Sequence, residues 1–85
     1  MSRQVRWSNR AEKDLERLDR KVRQKIVAAV DRFAQTGQGD VKRLQGLKEE
    51  TFRLRVGEWR VIFSQEETLL IVILRALPRS GAYHP

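Results

Sequence analysis

The sequence predicts an α+β domain in which a helical hairpin packs on one face of an antiparallel sheet. Three observations support this prediction: two apolar stripes at helical spacing, a two-residue turn between alternating strands, and an apolar run of six residues after them. Neither helix can bury its stripe alone, and the strands need a cover, so the order β-α-α-β-β-β satisfies both. The 85 residues have the length of one domain, 1–85.

The first half of the chain is predicted to be a short strand followed by two helices. The strand covers Gln4–Trp7, and Ser8 or Asn9 then caps the first helix. Asp19 precedes the second helix in the same way, and Gly37 ends it. The two apolar stripes are Ala11, Leu15 and Leu18 in the first helix, and Val22, Ile26, Ala29, Val30 and Phe33 in the second.

The second half is predicted to contain a linker, three strands and a tail. Residues 37–50 form the linker, because glycines interrupt it and its apolar residues are few. Phe52–Val56 and Trp59–Ser64 are predicted to pair as a hairpin. Leu69–Leu74 is apolar on both faces, which predicts a central strand, and residues 75–85 form the tail.

The turn Gly57-Glu58 fixes which side chains of the hairpin share a face. A two-residue loop that begins with glycine suits a type II′ turn, and it puts Arg55 directly opposite Arg60. Alternation then separates an inner, apolar face from an outer, basic one. The inner face carries Phe52, Leu54, Val56, Trp59, Val61 and Phe63, and the outer face carries Arg53, Arg55, Arg60 and Ile62.

Two interpretations of the outer face follow from its chemistry. Like charges directly opposite each other on neighbouring strands are destabilising, although solvent screening keeps the cost small. Guanidinium groups match the geometry of phosphate oxygens, which favours an anion-binding site. The alternative is a solvated face in which arginine supplies length and solubility.

The charge balance also favours a polyanionic partner. Lysine and arginine number 18 against 11 acidic residues, a net charge of +7, which suits RNA, DNA, an anionic membrane or an acidic protein. The chain has no cysteine, so neither a disulfide nor a thiolate metal site is available. No signal peptide is apparent, and no apolar run approaches the ~20 residues that span a bilayer. We expect a cytoplasmic protein with no membrane partner, metal or cofactor.

Four segments in order resemble the RelE/ParE superfamily of toxins from type II toxin–antitoxin systems. They are W-S-N-R-A-E-K-D-L-E-R-L at 7–18, K-R-L-Q-G-L at 42–47, F-R-L-R-V-G-E-W-R-V-I-F at 52–63 and R-S-G-A-Y at 79–83. The resemblance covers nearly the whole chain. It implies the same fold of a helical hairpin against an antiparallel sheet.

The resemblance implies a site as well as a fold. RelE-like members cut mRNA in the ribosomal decoding site without a metal, by attack of the ribose 2′-OH on the adjacent phosphate. By position, Arg53 and Arg55 match the basic pair before the turn, and Arg60 matches the phosphate-holding residue after it. Arg79 matches the late arginine, a phosphate contact or proton donor, and Tyr83 matches a tyrosine that stacks on or orients the substrate.

The sequence departs from the RelE-like pattern at two points. Several relatives carry lysine at the positions of Arg53 and Arg55, and arginine does not deprotonate, so the general base falls to Tyr83, His84 or water. His84 is also a candidate RNA-binding residue. In the late motif Ala-Leu-Pro precedes Arg79, which predicts a shift of that arginine.

The resemblance leaves three candidate functions open, and it implies a set of partners. The first is a ribosome-dependent mRNA endonuclease. The second is a ParE-like inhibitor that binds DNA gyrase without catalysis, and the third is a non-toxic binding module. A toxin implies a cognate acidic antitoxin that folds on the basic surface, with operator DNA bound indirectly through the antitoxin, and the first function adds the ribosome and mRNA.

Overall fold

A five-stranded sheet with two helices makes up the described part of the chain, residues 2–45 and 50–79 of a computed structural model. The strands lie in the order β1-β5-β4-β3-β2, all antiparallel except β1, which runs parallel to β5. The predicted α+β class is confirmed. The elements are β1 Gln4–Trp7, α1 Asn9–Glu16, α2 Arg20–Thr36, β2 Asp40–Leu44, β3 Thr51–Val56, β4 Trp59–Glu67 and β5 Leu70–Pro78.

Local hydrogen bonds explain where the helices begin and end. Ser8 is the N-cap of α1, and its Oγ accepts a hydrogen bond from the backbone N–H of Ala11 at 3.1 Å. Asp19 precedes α2 as predicted, but its side chain makes no capping hydrogen bond. Gly37 ends α2 in the left-handed conformation (φ 77°), and its N–H donates to the Phe33 carbonyl. Within residues 2–45 and 50–79, no helix has the length and apolar character needed to cross a membrane.

The core lies between the helices and the inner face of the sheet. Both predicted apolar stripes contribute to it, and three aromatic rings join them to the hairpin: Phe33 and Phe52 each lie within 5.5 Å of the Phe63 ring, centre to centre. The predicted inner face of the hairpin is therefore confirmed. The buried members of the core are Ala11, Ile26, Val30, Leu54, Val56, Val61, Phe63, Ile71 and Ile73.

The β3–β4 hairpin has the predicted register. Arg55 pairs with Arg60 and Val56 with Trp59 across the turn. Gly57 has φ 59°, and Glu58 has no positive φ, as a type II′ turn requires. The outer face is less open than the arginines alone imply, because Ile62 is only 2% exposed.

Several boundaries differ from the prediction. α1 ends at Glu16, so Leu18, which is predicted to lie in the first helix, comes after its end. The differences in the second half of the chain arise from pairing across the sheet. Residues 37–50 contain a strand, β2, in which Val41 pairs with Leu54 and packs against the core. β4 extends to Glu67, beyond its predicted end at Ser64. β5 continues to Pro78 instead of ending at Leu74, because its last residues pair with the beginning of β4.

Candidate functional site

Arginines from two adjacent strands and the end of a third converge near the β3–β4 turn. Arg53 and Arg55 of β3, Arg60 of β4 and Arg79, which follows β5, line one cavity of about 80 Å³. We call it the arginine cavity. Its lining also includes Gly57 and Trp59. A water needs roughly 10–15 Å³, so the cavity has room for an oxyanion the size of a phosphate.

The position of Arg79 is fixed by the backbone rather than by its side chain. Pro78 pairs with Trp59 at the end of β5. The next N–H, that of Arg79, donates to the carbonyl of Glu58 in the turn at 2.7 Å. The proline therefore ends β5 beside the turn, and Arg79 reaches the cavity with the other three arginines.

The four arginines differ in the acidic residues near them. A guanidinium nitrogen of Arg53 lies 3.7 Å from an Asp40 carboxylate oxygen, and Arg79 lies at the same distance from Glu58. Both distances are long for a charge-assisted hydrogen bond, and both carboxylates are well exposed. Arg55 and Arg60 form no ion pair with any residue in 2–45 or 50–79. Their positive charge is therefore available to an external anion.

Two shallower depressions adjoin the arginine cavity. One, of about 650 Å³, extends over β2 and shares Arg53, Arg55 and Arg60 with the cavity; we call it the β2 trough. The other, of about 410 Å³, is lined by Glu58, Arg60, Pro78 and Arg79. Arg60 lines all three and so lies at the centre of the basic surface. The remaining residues of the β2 trough are Lys42, Arg43, Leu44 and Gln45.

Sequence reasoning missed the contribution of β2 to this surface. Lys42 pairs with Arg53, so both side chains lie on the outer face. The segment was predicted to be a linker because its charged residues hide the alternation of a strand. The one available signal of a strand was Val41, an apolar residue next to the cations Lys42 and Arg43.

The arrangement can bind and stabilise negative charge. Guanidinium groups stay protonated, so the four arginines can neutralise a phosphate but cannot accept a proton. Tyr83 and His84, the predicted stacking and RNA-binding residues, lie outside the described residues. The described residues hold no cluster of three or more His, Asp or Glu side chains suited to a metal ion.

Comparison with known structures agrees with the fold. The RelE–RelB complex of Pyrococcus horikoshii OT3 contains a chain that is 26% identical, with a TM-score of 0.76 over 96% of this chain and 100% of that chain. The RelBE2 toxin–antitoxin complex of Mycobacterium tuberculosis contains a chain that is 28% identical, with a TM-score of 0.64 over 93% and 100%. A mutant of the E. coli toxin RelE in the free state, at 16% identity, shares the fold with a TM-score of 0.70 over 92% and 84%.

Sequence comparison gives the family. No curated protein sequence is significantly similar to the chain. The family model for the ParE toxin of the type II toxin–antitoxin system parDE matches residues 5–83. Because that match spans nearly the whole chain and the structural relatives share its fold, the protein belongs to the ParE toxin family of the RelE/ParE superfamily and is a toxin of a type II toxin–antitoxin system.

Proposed function

We propose that this toxin is a ribosome-dependent mRNA endonuclease that cuts by attack of a ribose 2′-OH on the adjacent phosphate. One observation carries the proposal: four arginines line a single cavity, and the cross-strand pair at its centre, Arg55 and Arg60, has no acidic partner in the described part of the chain. A like-charge pair of this kind destabilises a sheet unless an anion binds it. RNA supplies such an anion at every linkage.

The proposed reaction needs no bound group beyond the substrate. The 2′-oxygen forms a bond to phosphorus, the bond to the 5′-oxygen breaks, and the upstream product keeps a 2′,3′-cyclic phosphate. Arg60, with Arg55 and Arg53, stabilises the charge that develops on the phosphate oxygens. Arg79 binds the same phosphate or donates a hydrogen bond to the departing 5′-oxygen, which takes up a proton from water. The 2′-OH proton passes to Tyr83, His84 or water held by the guanidiniums.

We propose a cognate antitoxin as the partner that restrains the toxin. The structures from Pyrococcus horikoshii and Mycobacterium tuberculosis are of toxin–antitoxin complexes. The net charge of +7 favours an acidic segment that folds on the basic surface and covers the arginine cavity. The complex would contact operator DNA through the antitoxin. Toxin and mRNA would meet on the ribosome in the cytoplasm.

A second candidate function has its own support. The family model that matches the chain is that of ParE toxins, which favours inhibition of DNA gyrase by binding without catalysis. Such a protein has no need of a cavity lined by four arginines. The arginine cavity is therefore the feature that favours the nuclease over the gyrase inhibitor.

Two assays run in parallel distinguish the candidates. Primer extension on a defined mRNA in a reconstituted translation mixture should give cuts within codons only when both toxin and ribosomes are present. A gyrase supercoiling assay with the same toxin preparation should show full activity. Intact mRNA together with inhibited supercoiling would establish the ParE-like alternative, and no effect in either assay would indicate a non-toxic binding module.

A further inference from the structure

Lys42 extends the basic surface beyond the residues assigned to the reaction. It lies on the edge strand β2, is exposed, and pairs with Arg53 on the outer face of the sheet. It lines the β2 trough with Arg53, Arg55 and Arg60, which also line the arginine cavity. Trough and cavity are therefore one continuous surface.

The cations of this surface lie in strand order across the sheet. Arg79 follows β5, Arg60 is on β4, Arg53 and Arg55 are on β3, and Lys42 is on β2. Neighbouring strands lie about 4.8 Å apart, so the row from β5 to β2 spans roughly 14 Å. Stacked nucleotides rise about 3.4 Å each along one strand. The row is longer than one phosphate needs and fits a backbone several nucleotides long.

The charge on Lys42 is available for such a contact. Its side chain forms no ion pair with any residue described in 2–45 and 50–79. The nearest acidic residue on the same strand face, Asp40, is 3.7 Å from Arg53. A lysine ammonium is a compact charge on a flexible stem, which suits a phosphate whose position varies with the bound sequence.

We propose that Lys42 binds a backbone phosphate of the RNA that flanks the scissile linkage, so that the substrate strand crosses the sheet from β5 toward β2. This inference rests on the proposed RNA-cleaving function and adds the direction of the substrate strand. It makes Lys42 a positioning residue that contacts RNA away from the reacting atoms. Its effect depends on substrate length, because a dinucleotide has no flanking phosphate.

Binding of short oligonucleotides tests the proposal. Fluorescence anisotropy would measure the affinity of the toxin for 2′-O-methyl RNA of two and eight nucleotides, in which the attacking hydroxyl is blocked. Lys42→Ala should leave the affinity for the dinucleotide unchanged and lower the affinity for the octamer several-fold. The slope of log affinity against log salt should fall by about 0.7 for the octamer, the value for one phosphate contact to a single strand.

Lys21→Ala is the matched control, because Lys21 is exposed on α2 and does not line the trough. Equal octamer affinities for the wild type and Lys42→Ala, or equal losses in both lysine variants, would overturn the role of Lys42. If the wild type binds neither RNA, the role of Lys42 fails, and the cleavage assay on ribosomes decides the proposed function separately. If Arg60→Ala binds the octamer as tightly as the wild type does, the arginine cavity does not bind RNA and the proposed function loses its support.

Discussion

Arg75 and the arginines of the cavity lie in the same sheet but have opposite surroundings. Arg75 Nε donates to Asp14 Oδ2 at 2.8 Å, and its second nitrogen donates to Oδ1 at 3.1 Å. Arg55 and Arg60 lie directly opposite each other on the neighbouring strands β3 and β4. Neither forms an ion pair with any of the described residues. Residue type is the same in the two regions. The neighbouring carboxylate decides whether an arginine holds the fold together or is available to an anion.

The Arg75 region is built for stability because it closes an irregular edge of the sheet. β1 pairs with β5 only as far as Ile73, and the register shifts between Ile62 and Phe63 of the neighbouring β4. α1 lies over this point, and Asp14 Oδ2 also accepts the Ala76 N–H at 2.9 Å. The carboxylate thus satisfies a backbone donor that the sheet leaves without a strand partner.

The largest expected effect concerns the cavity. Arg60→Ala should lower the single-turnover rate of mRNA cleavage on programmed ribosomes by roughly 10²–10³-fold, the cost of losing one donor that stabilises transition-state charge. Growth arrest on expression should disappear, while the melting temperature should stay near that of the wild type. Arg32→Ala is the control, because Arg32 is exposed on α2 outside the cavity. Growth arrest by Arg60→Ala at wild-type strength would count against the nuclease.

Substitution of Arg75 should have the opposite effect, a loss of stability without a loss of cleavage. Arg75→Ala leaves a carboxylate whose side chain is only 10% exposed without its guanidinium, so the free energy of unfolding should fall by about 2–3 kcal/mol. Urea unfolding measures this loss. Cleavage per folded molecule should persist. A stable Arg75→Ala protein that has lost cleavage would instead assign Arg75 to the site.

The pH dependence of stability sharpens the same contrast. Burial raises the pKa of Asp14, but hydrogen bonds from Arg75 and Ala76 and the charges of Arg75 and Arg17 outweigh it and bring the pKa below its ordinary value of 3.8. A depressed folded-state pKa gives stabilisation that is complete above pH 3.8 and is lost as pH falls through the folded-state pKa. Urea unfolding at pH 7 and pH 3 should show this loss. Asp14→Asn should be less stable at pH 7 and less sensitive to acid, and an equal acid response in both proteins would refute the linkage.

The smallest effect is expected at the rim of the cavity. Glu58 and Arg79 are 3.7 Å apart and well exposed, so solvent screens their attraction. Glu58→Gln should change the free energy of unfolding by at most about 0.5 kcal/mol, far less than the loss at Arg75. Chemical denaturation of both variants under the same conditions measures the difference. A loss at Glu58 as large as that at Arg75 would show that the rim pair is also structural.

The sequence was sufficient to predict those parts of the structure that depend on residues close together in the chain. The turn Gly57-Glu58 determines the β3–β4 register, and that register puts Arg55 opposite Arg60. Helical spacing likewise identified residues that reach the core, although Leu18 does so from beyond the end of α1. Three predicted site residues from the hairpin and Arg79 do line one cavity.

The sequence was insufficient where structure depends on distant partners. Lys42 belongs to a strand because Val41 and its neighbours pair with β3, which local spacing does not reveal. Arg75 was assigned to a tail, but the chain continues as β5, and the partner Asp14 is 61 residues away. The roles predicted for Tyr83 and His84 remain predictions, since both lie outside the described residues.

The central claim is that the cavity arginines bind an RNA phosphate while Arg75 does not. NMR of the arginine Nε–H groups during titration with a 2′-O-methyl RNA dinucleotide tests it directly. We predict saturable shifts of the Arg55 and Arg60 signals, with the Arg75 signal unchanged. Unmoved signals from Arg55 and Arg60, or an equal shift at Arg75, would contradict the account.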